Sequence, residues 1–456
     1  MSQFNRCYQL TSSHIIPIDD IAYVWWYDRQ GAIQSHGINF VQDLPYFLVL
    51  LLCFDRFTPE DWGVIPAFNS KNKANYCTLS LPVPPLCIVD IKIDENTIRG
   101  HFGIVGRATQ VLHATSESED PRDVGKSLKD VELVIKVYWP EASRVGEKEI
   151  IDKALEIAQH NDDVNGHIPD LICSHDYTKY STNGIRTALG IENKGHRVLR
   201  VMLFRRLYPI TDLVGEEFWK AFWECFRCKC SPSHLCHMLI KNNTLAVLGH
   251  FYLWKGGVEH NDISVKNLMY DRLSDRGVLN DYDLAHLDGE TRPTGTERTG
   301  TIPFMALDLL TEEAWAGHVT RQYRHDCESF AWVLLWICCR YDKGGEISNP
   351  PLNQINTLDF CECYMRKMVI VEHLIRKPSH TLIPVATPSY EPYWSTAIAL
   401  LCYSVKGRQR RVFDEESEPT IDEVILAYGN ELEKAKFSRT LCTSGDKSES
   451  SPSVLR

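Results

Sequence analysis

Apolar and polar positions recur with different periods along the chain. Ile21–Trp26 is a run of aliphatic and aromatic residues, Asp28-Arg29-Gln30-Gly31 follows as a turn, and Ala32–Phe40 returns, an order that predicts a β-hairpin. The next apolar run, Leu44–Phe54, carries no charge and predicts a buried helix or strand beneath the hairpin. At 11 residues, with Pro45 and Tyr46 inside, it is too short to span a bilayer. Proline-rich punctuation at Leu81–Leu86 marks a linker or an edge segment, so residues 1–95 read as an N-terminal extension.

From about Ile98 the pattern changes. Ile104–Ala114 and Val131–Trp139 are extended segments around the polar loop Ser116–Lys129. Ser143–His160 follows with Glu147, Ile150, Ile151, Ala154, Leu155 and Ala158 at helical spacing. Arg197–Phe204 reads as a strand and Phe218–Cys228 as an aromatic-rich helix, and the rest to about Phe437 reads as mainly helical. Strands first and helices after predict a small β-rich lobe over 96–208 joined to a larger helical one over 209–436. The serine-rich stretch 437–456 predicts a disordered tail.

Composition narrows the class. Over 456 residues, 44% hydrophobic and 10% aromatic content excludes global disorder, and 49 basic against 60 acidic residues, a net charge of −11, argues against nucleic acid and membrane as partners. The sixteen cysteines are too sparse for a disulfide-stapled miniature domain. The opening MSQFNRCYQLTSSHIIPIDD lacks the apolar core of a signal peptide, so an intracellular, cytoplasmic or nuclear protein with mostly free, buried thiols is expected.

Candidate chemistry concentrates in His260-Asn261-Asp262-Ile263-Ser264-Val265-Lys266-Asn267, followed by Asp281-Tyr282-Asp283. Phosphoryl transfer needs a carboxylate beside the acceptor hydroxyl and oxygen ligands for a divalent cation, and H-x-D-x-x-x-x-N offers both from one turn. Asp262 is then the candidate base, with Asn267 and Asp281 as metal ligands. Taken alone the motif is a short match that chance can produce. Downstream stand Gly300-Thr301-Ile302-Pro303-Phe304-Met305-Ala306-Leu307-Asp308 and Asp326-Cys327-Glu328-Ser329-Phe330. Upstream, Leu133-Val134-Ile135-Lys136 offers a strand lysine for the nucleotide phosphates. Its partner glutamate needs apolar residues three and four positions later, which Glu147 has in Ile150 and Ile151 and which Glu149 and Glu156 lack.

In this order the motifs resemble the fungal-type protein kinase family. The matching stretches are YVWWYDRQGAIQSHGINF, VIKVYWPEASRVGEKEII, VLRVMLFRRLYPITDLVGEEF, HNDISVKNLMYD, LNDYDLA, TGTIPFMALDLL and YRHDCESFAWVLLWIC. The resemblance covers most of residues 20–430. It implies an α+β, bilobed protein kinase-like fold with the N-terminal extension packed on it. It further implies ATP with Mg²⁺ as cofactors and transfer to a Ser/Thr hydroxyl of a protein substrate. Lys136 then holds the phosphates and Glu147 orients it. Thr301 bonds near Asp262, Asp326 anchors the catalytic loop, and Asp308 pairs with one of Arg408, Arg410 and Arg411.

The family pattern is not complete. In the phosphate-covering loop aligned on Val111, the three glycine places fall on Ile104, Gly106 and Thr109, so only Gly106 remains. Asn261 replaces the arginine that pairs with activation-loop phosphate, which places Thr294, Thr296 and Thr299 in an unregulated loop. Lys266 stands four places after Asp262, where it can reach the γ-phosphate. His260 is a structural buttress. Asp283 replaces a glycine, as in phosphotransferases of the aminoglycoside and choline kinase type, which keeps a small-molecule kinase open as an alternative. The thin glycine loop keeps a pseudokinase scaffold open as another. Residues 228–249 read as an insertion. Its Cys228, Cys230, Cys236, His234 and His237, with Cys225, lack the paired spacing of a zinc site.

Overall fold

A computed structural model describes residues 11–66, 68, 76–83, 87–94, 99–100, 105–123, 125–192, 195–226, 249–290, 300–376, 384–413, 419–420, 423–424 and 427. The inferred insertion up to residue 248, the serine-rich tail, Ile104 and the three loop threonines lie outside them. The chain divides into two compact units, of which the first comprises residues 1–148 and 170–206 and the second 149–169 and most of the chain from 207 onward.

The first unit is built on strands. β1 (Thr11–Ile18), β2 (Ile21–Asp28), β3 (Gly31–Gln34) and β4 (Ile38–Asn39) form one sheet. The turn between β2 and β3 forms because Asp28 Oδ1 accepts the N–H of Gln30 at 2.8 Å and of Gly31 at 3.2 Å, an Asx turn. The apolar run predicted next is helix α1 (Leu44–Asp55), and it has no buried residue, with Tyr46 74% exposed. That corrects the expected burial. Apolar side chains surround the whole helix, so complete burial needs neighbours on every side, and a four-stranded sheet offers one face at most.

β5 (Tyr76–Val83), β6 (Cys87–Asp94), β7 (Arg99–Gly100), β8 (Gln110–Ser116), β9 (Leu133–Tyr138), β10 (Leu171–Ser181) and β11 (Val198–Arg205) form a seven-stranded sheet in the order β10-β11-β9-β8-β6-β5, with β7 beside β8. Between β9 and β10 runs helix α2 (Glu147–Gln159), and α3 (Asn183–Ala188) precedes β11. Alternation drives β5 and β6: Cys77, Leu79, Leu81, Val89, Ile91 and Ile93 are buried while Thr78, Ser80, Asp90 and Lys92 face out. The sheet runs across the expected boundary near residue 95, since Ile93 pairs with Ala114. Pro82 sits on the edge strand, where its missing N–H breaks no ladder.

The second unit is mainly helical. Its helices α4 (Gly215–Phe226), α5 (Gly249–Lys255), α6 (Tyr323–Arg340), α7 (Phe360–Arg376) and α8 (Glu391–Phe413) carry short β-pairs between α5 and α6. Apart from Arg324, every residue of α6 from Tyr323 to Arg340 is buried, Cys338 and Cys339 among them, as central packing requires. On α4, Phe218 meets Tyr390 edge-on, and Phe222 and Phe226 meet Phe330 edge-on and tilted, in the same core.

Candidate active site

In the first unit the sheet aims Lys136 at Glu147. Lys136 Nζ donates to Glu147 Oε2 at 2.6 Å, with the two side chains 7% and 1% exposed. Tyr138, two residues along the same strand face, donates its hydroxyl to the same oxygen at 3.1 Å. Glu147 is the first residue of α2, where the helix N-terminus favours a carboxylate. Glu156 instead pairs with Lys153 on the exposed face. Val111 stands opposite Lys136 in the β8–β9 register, so both side chains share one face of the sheet, and Val111 is 44% exposed there. Gly106 adopts φ +96°, a conformation glycine takes without strain, and donates its N–H to Arg29 O at 2.9 Å.

In the second unit two short pairings assemble the other candidates. Strands Leu268–Asp271 and Arg276–Leu279 form a hairpin with Leu268 opposite Leu279. Asn280 N–H then bonds Asn267 O at 2.8 Å, which brings Asp281 beside Asn267 despite the sequence distance between them. A second pairing, Val258 with Leu287 and Glu259 with His286, joins the segments before and after. Asp281 itself has φ +65°.

Asp262 is held from three directions. Thr301 donates its N–H and its hydroxyl to Oδ1, both at 2.8 Å. Asn267 Nδ2 donates to Oδ2 at 3.1 Å and to the Asp262 carbonyl at 2.8 Å. With Nδ2 engaged on Asp262, Asn267 presents its amide oxygen as a ligand. An amide oxygen and the Asp281 carboxylate match the oxygen donors a hard divalent cation takes beside phosphate, so the residues fit Mg²⁺. Among the described residues there is no group of three His, Cys, Asp or Glu that could hold a metal. Cys225, the described member of the cysteine-rich stretch, is buried in α4, and burial pushes its thiol well up.

The loop carrying Asp262 is anchored on its own unit. His260 ring Nε2 lies 3.0 Å from Asn280 O, and burial pushes its conjugate acid down to about 4, so it is a neutral prop. Asn261, at φ +66°, donates its N–H to Asp326 Oδ2 at 3.2 Å. Burial alone would raise the Asp326 carboxyl. The hydrogen bond from His250 and the charge of Arg321 outweigh it and hold the group below the usual range. Lys266 is exposed.

Asp308 is gripped by Arg324 and by Arg408, each at 2.5 Å. Burial would raise its carboxyl, yet the His325 hydrogen bond and the charge of Arg324 hold it low.

Sequence reasoning missed several partners. Arg321 donates to Asn261 O at 2.5 Å, Glu328 accepts the N–H of Leu307 at 2.8 Å, and Lys367 donates to Met305 O at 2.6 Å. A signal was available only for Glu328, a charge close before the apolar run Phe330–Cys339.

A family model described as fungal protein kinase matches residues 3–201 and 233–338. Among solved structures, the PK-1 kinase of the Cydia pomonella granulovirus is similar at 14% identity, over 70% of this chain and 88% of that one, with a TM-score of 0.35. No curated protein matches the sequence. No helix among the described residues is long and apolar enough to cross a membrane.

Proposed function

The chain belongs to the fungal protein kinase family, and from that premise we propose that it transfers the γ-phosphoryl group of ATP to a Ser or Thr hydroxyl of a protein. In this reading the first unit is the nucleotide-holding lobe of a bilobed kinase fold and the second is the catalytic lobe. The observation that carries the reading is the clamped carboxylate of Asp262, with both oxygens already hydrogen-bonded by Thr301 and Asn267. A base fixed in this way needs little reorganisation when the acceptor hydroxyl arrives.

Lys136, neutralised by Glu147, holds the α- and β-phosphates, and the shared face with Val111 offers an apolar contact for the base. Gly106 is the surviving glycine of the phosphate-covering loop. Asn267 and Asp281 would hold Mg²⁺, which supplies charge neutralisation on the transferring phosphates when bound. Asp262 orients the acceptor hydroxyl and takes its proton as the oxygen bonds the γ-phosphorus, the bond from that phosphorus to the β–γ bridging oxygen breaks and ADP leaves, and Lys266 stands by the γ-phosphate. Thr301, Asp308 and Asp326 keep the loop carrying Asp262 and the segment after it in place.

The protein acceptor is favoured over a small molecule because the segment from Thr301 to Asp308 is tied at both ends, as a surface for a peptide requires. The test is a thermal shift with ATP and Mg²⁺ followed by radiolabelled transfer to a broad protein panel. Wild type should be stabilised and should label protein, and Asp262→Asn should abolish labelling. Stabilisation without any labelled protein would overturn the protein-kinase assignment, and labelled metabolites would favour the small-molecule reading.

A further inference from the structure

Two opposite charges lie fully inside the second unit without pairing with each other. Lys367 on α7 is 0% exposed and Glu328 on α6 is 3% exposed. Burial pushes the Lys367 ammonium down to about 8 and raises the Glu328 carboxyl. Both placements are costly, and apolar side chains of similar size would pack the same space without that cost.

Their hydrogen bonds explain the placement. Residues 302–304 and 307–310 form two short 3₁₀ turns, and between them Met305 and Ala306 are extended and buried. Within those turns Met305 N–H bonds Ile302 O and Leu309 N–H bonds Ala306 O, so Met305 O and Leu307 N–H find no partner in the turns themselves. Buried main-chain groups must be satisfied. Lys367 Nζ donates to Met305 O at 2.6 Å while lying 4.3 Å from the centre of the Trp332 ring. Glu328 Oε1 accepts from Leu307 N–H at 2.8 Å and from Trp332 Nε1 at 3.2 Å. Cys363, one turn before Lys367, places its thiol 3.7 Å from Ile302 O. The same segment starts at Thr301, bonded to Asp262, and ends at Asp308, bonded to Arg324 and Arg408.

We infer that Lys367 and Glu328 are positioning residues that hold the 302–308 backbone as a preformed seat for the protein acceptor, an inference that rests on the protein-kinase reading. Two charge-assisted bonds from rigid helices fix an irregular strip of main chain that would otherwise have several conformations. Pro303 to Leu307 are buried against these supports, while Thr301, Ile302 and Asp308 stay part-exposed and are where an acceptor chain would touch the strip.

Lys367→Met and Glu328→Gln test it against Lys367→Arg, with casein as the acceptor and backbone hydrogen exchange read by mass spectrometry. The expected result is faster exchange in the peptide covering 301–310 in the first two variants. KM for casein should rise about tenfold while KM for ATP holds, and Lys367→Arg should restore both readouts. Unchanged exchange in that peptide, or equal loss toward ATP and casein, would overturn the inference. A wild type that labels no protein would bring down the kinase reading, and the exchange comparison would then decide alone whether the pair holds the segment. Glu328→Gln keeps the side chain's size and covers the case in which Lys367→Met does not fold.

Discussion

Thr301 donates two hydrogen bonds, from its backbone and from its hydroxyl, to the same oxygen of Asp262, each 2.8 Å long. The second oxygen is held by Asn267 at 3.1 Å, so the carboxylate plane is set from both sides. The approach of Thr301 depends on the residue before it. Gly300 has φ +130°, and a Cβ there would stand 3.3 Å from Asn261 O.

Removing the Thr301 hydroxyl should cost transition-state positioning more than folding. A hydrogen bond to a charged group is worth about 1.5–3 kcal/mol, equivalent to roughly ten- to a hundredfold in rate. Thr301→Val is therefore expected to lower kcat by that factor with KM for ATP unchanged, and Thr301→Ser to recover most of it. Steady-state transfer assays read the outcome, and a Thr301→Val enzyme with wild-type kcat would contradict it.

The Lys136–Glu147 pair makes a stability prediction of unusual sign. Breaking a buried ion pair from one side leaves the other charge uncompensated, at a cost of about 3–5 kcal/mol. Lys136→Met should fall in that range by urea unfolding, with Glu147→Leu similar. The double variant should be more stable than either single one, yet inactive in transfer. Additive losses in the double variant would mean that the two charges are not coupled and would contradict this account.

Legibility in the sequence followed the range of the interaction. Asp262, Asn267 and Asp281 were readable because one loop and one hairpin bring them together, and loops and hairpins leave local spacing. Glu147 was readable because a helix imposes a period on its neighbours. Arg321 and Lys367 act on distant main-chain carbonyls, which leave no period in the sequence. Nothing in Phe360–Arg376 separates buried Lys367 from Arg366, which pairs on the surface with Glu362. Helix α1 misled in the other direction, because hydrophobicity states what burial would yield and is silent about whether a neighbour exists.

His325 gives the fold an acid limit. Its Nδ1 accepts the Gln322 N–H at 3.0 Å, and burial pushes its conjugate acid from 6.5 to about 4. The unfolded chain takes up that proton near 6.5 and the folded chain only near 4. Stability from this group is therefore complete above pH 6.5 and is lost as pH falls from there through 4, by about 3 kcal/mol. His260, pushed down similarly, adds in the same sense and window. His325→Gln should reduce the slope of unfolding free energy against pH in that window. An unchanged slope would remove His325 from the account.

Arg321 is expected to do for the catalytic loop what phosphate does in switched kinases. Asn261 replaces the arginine of the usual motif and sits at φ +66°, a conformation that needs external support. Its N–H is held by Asp326 at 3.2 Å and its carbonyl by Arg321 at 2.5 Å, so the peptide units on both sides of the residue are fixed by side chains already present. Asp262 is the next residue, and a misplacement of about 1 Å costs up to a hundredfold in rate. Arg321→Met should therefore lower kcat by roughly ten- to a hundredfold. KM for ATP should hold, because the Lys136–Glu147 pair lies in the other unit. Arg321→Lys should recover part of the rate, since an ammonium can still donate to the carbonyl. Phosphatase treatment of the wild type should leave its rate unchanged, and a rate that collapsed on dephosphorylation would show that the loop depends on a phosphate that Arg321 does not replace.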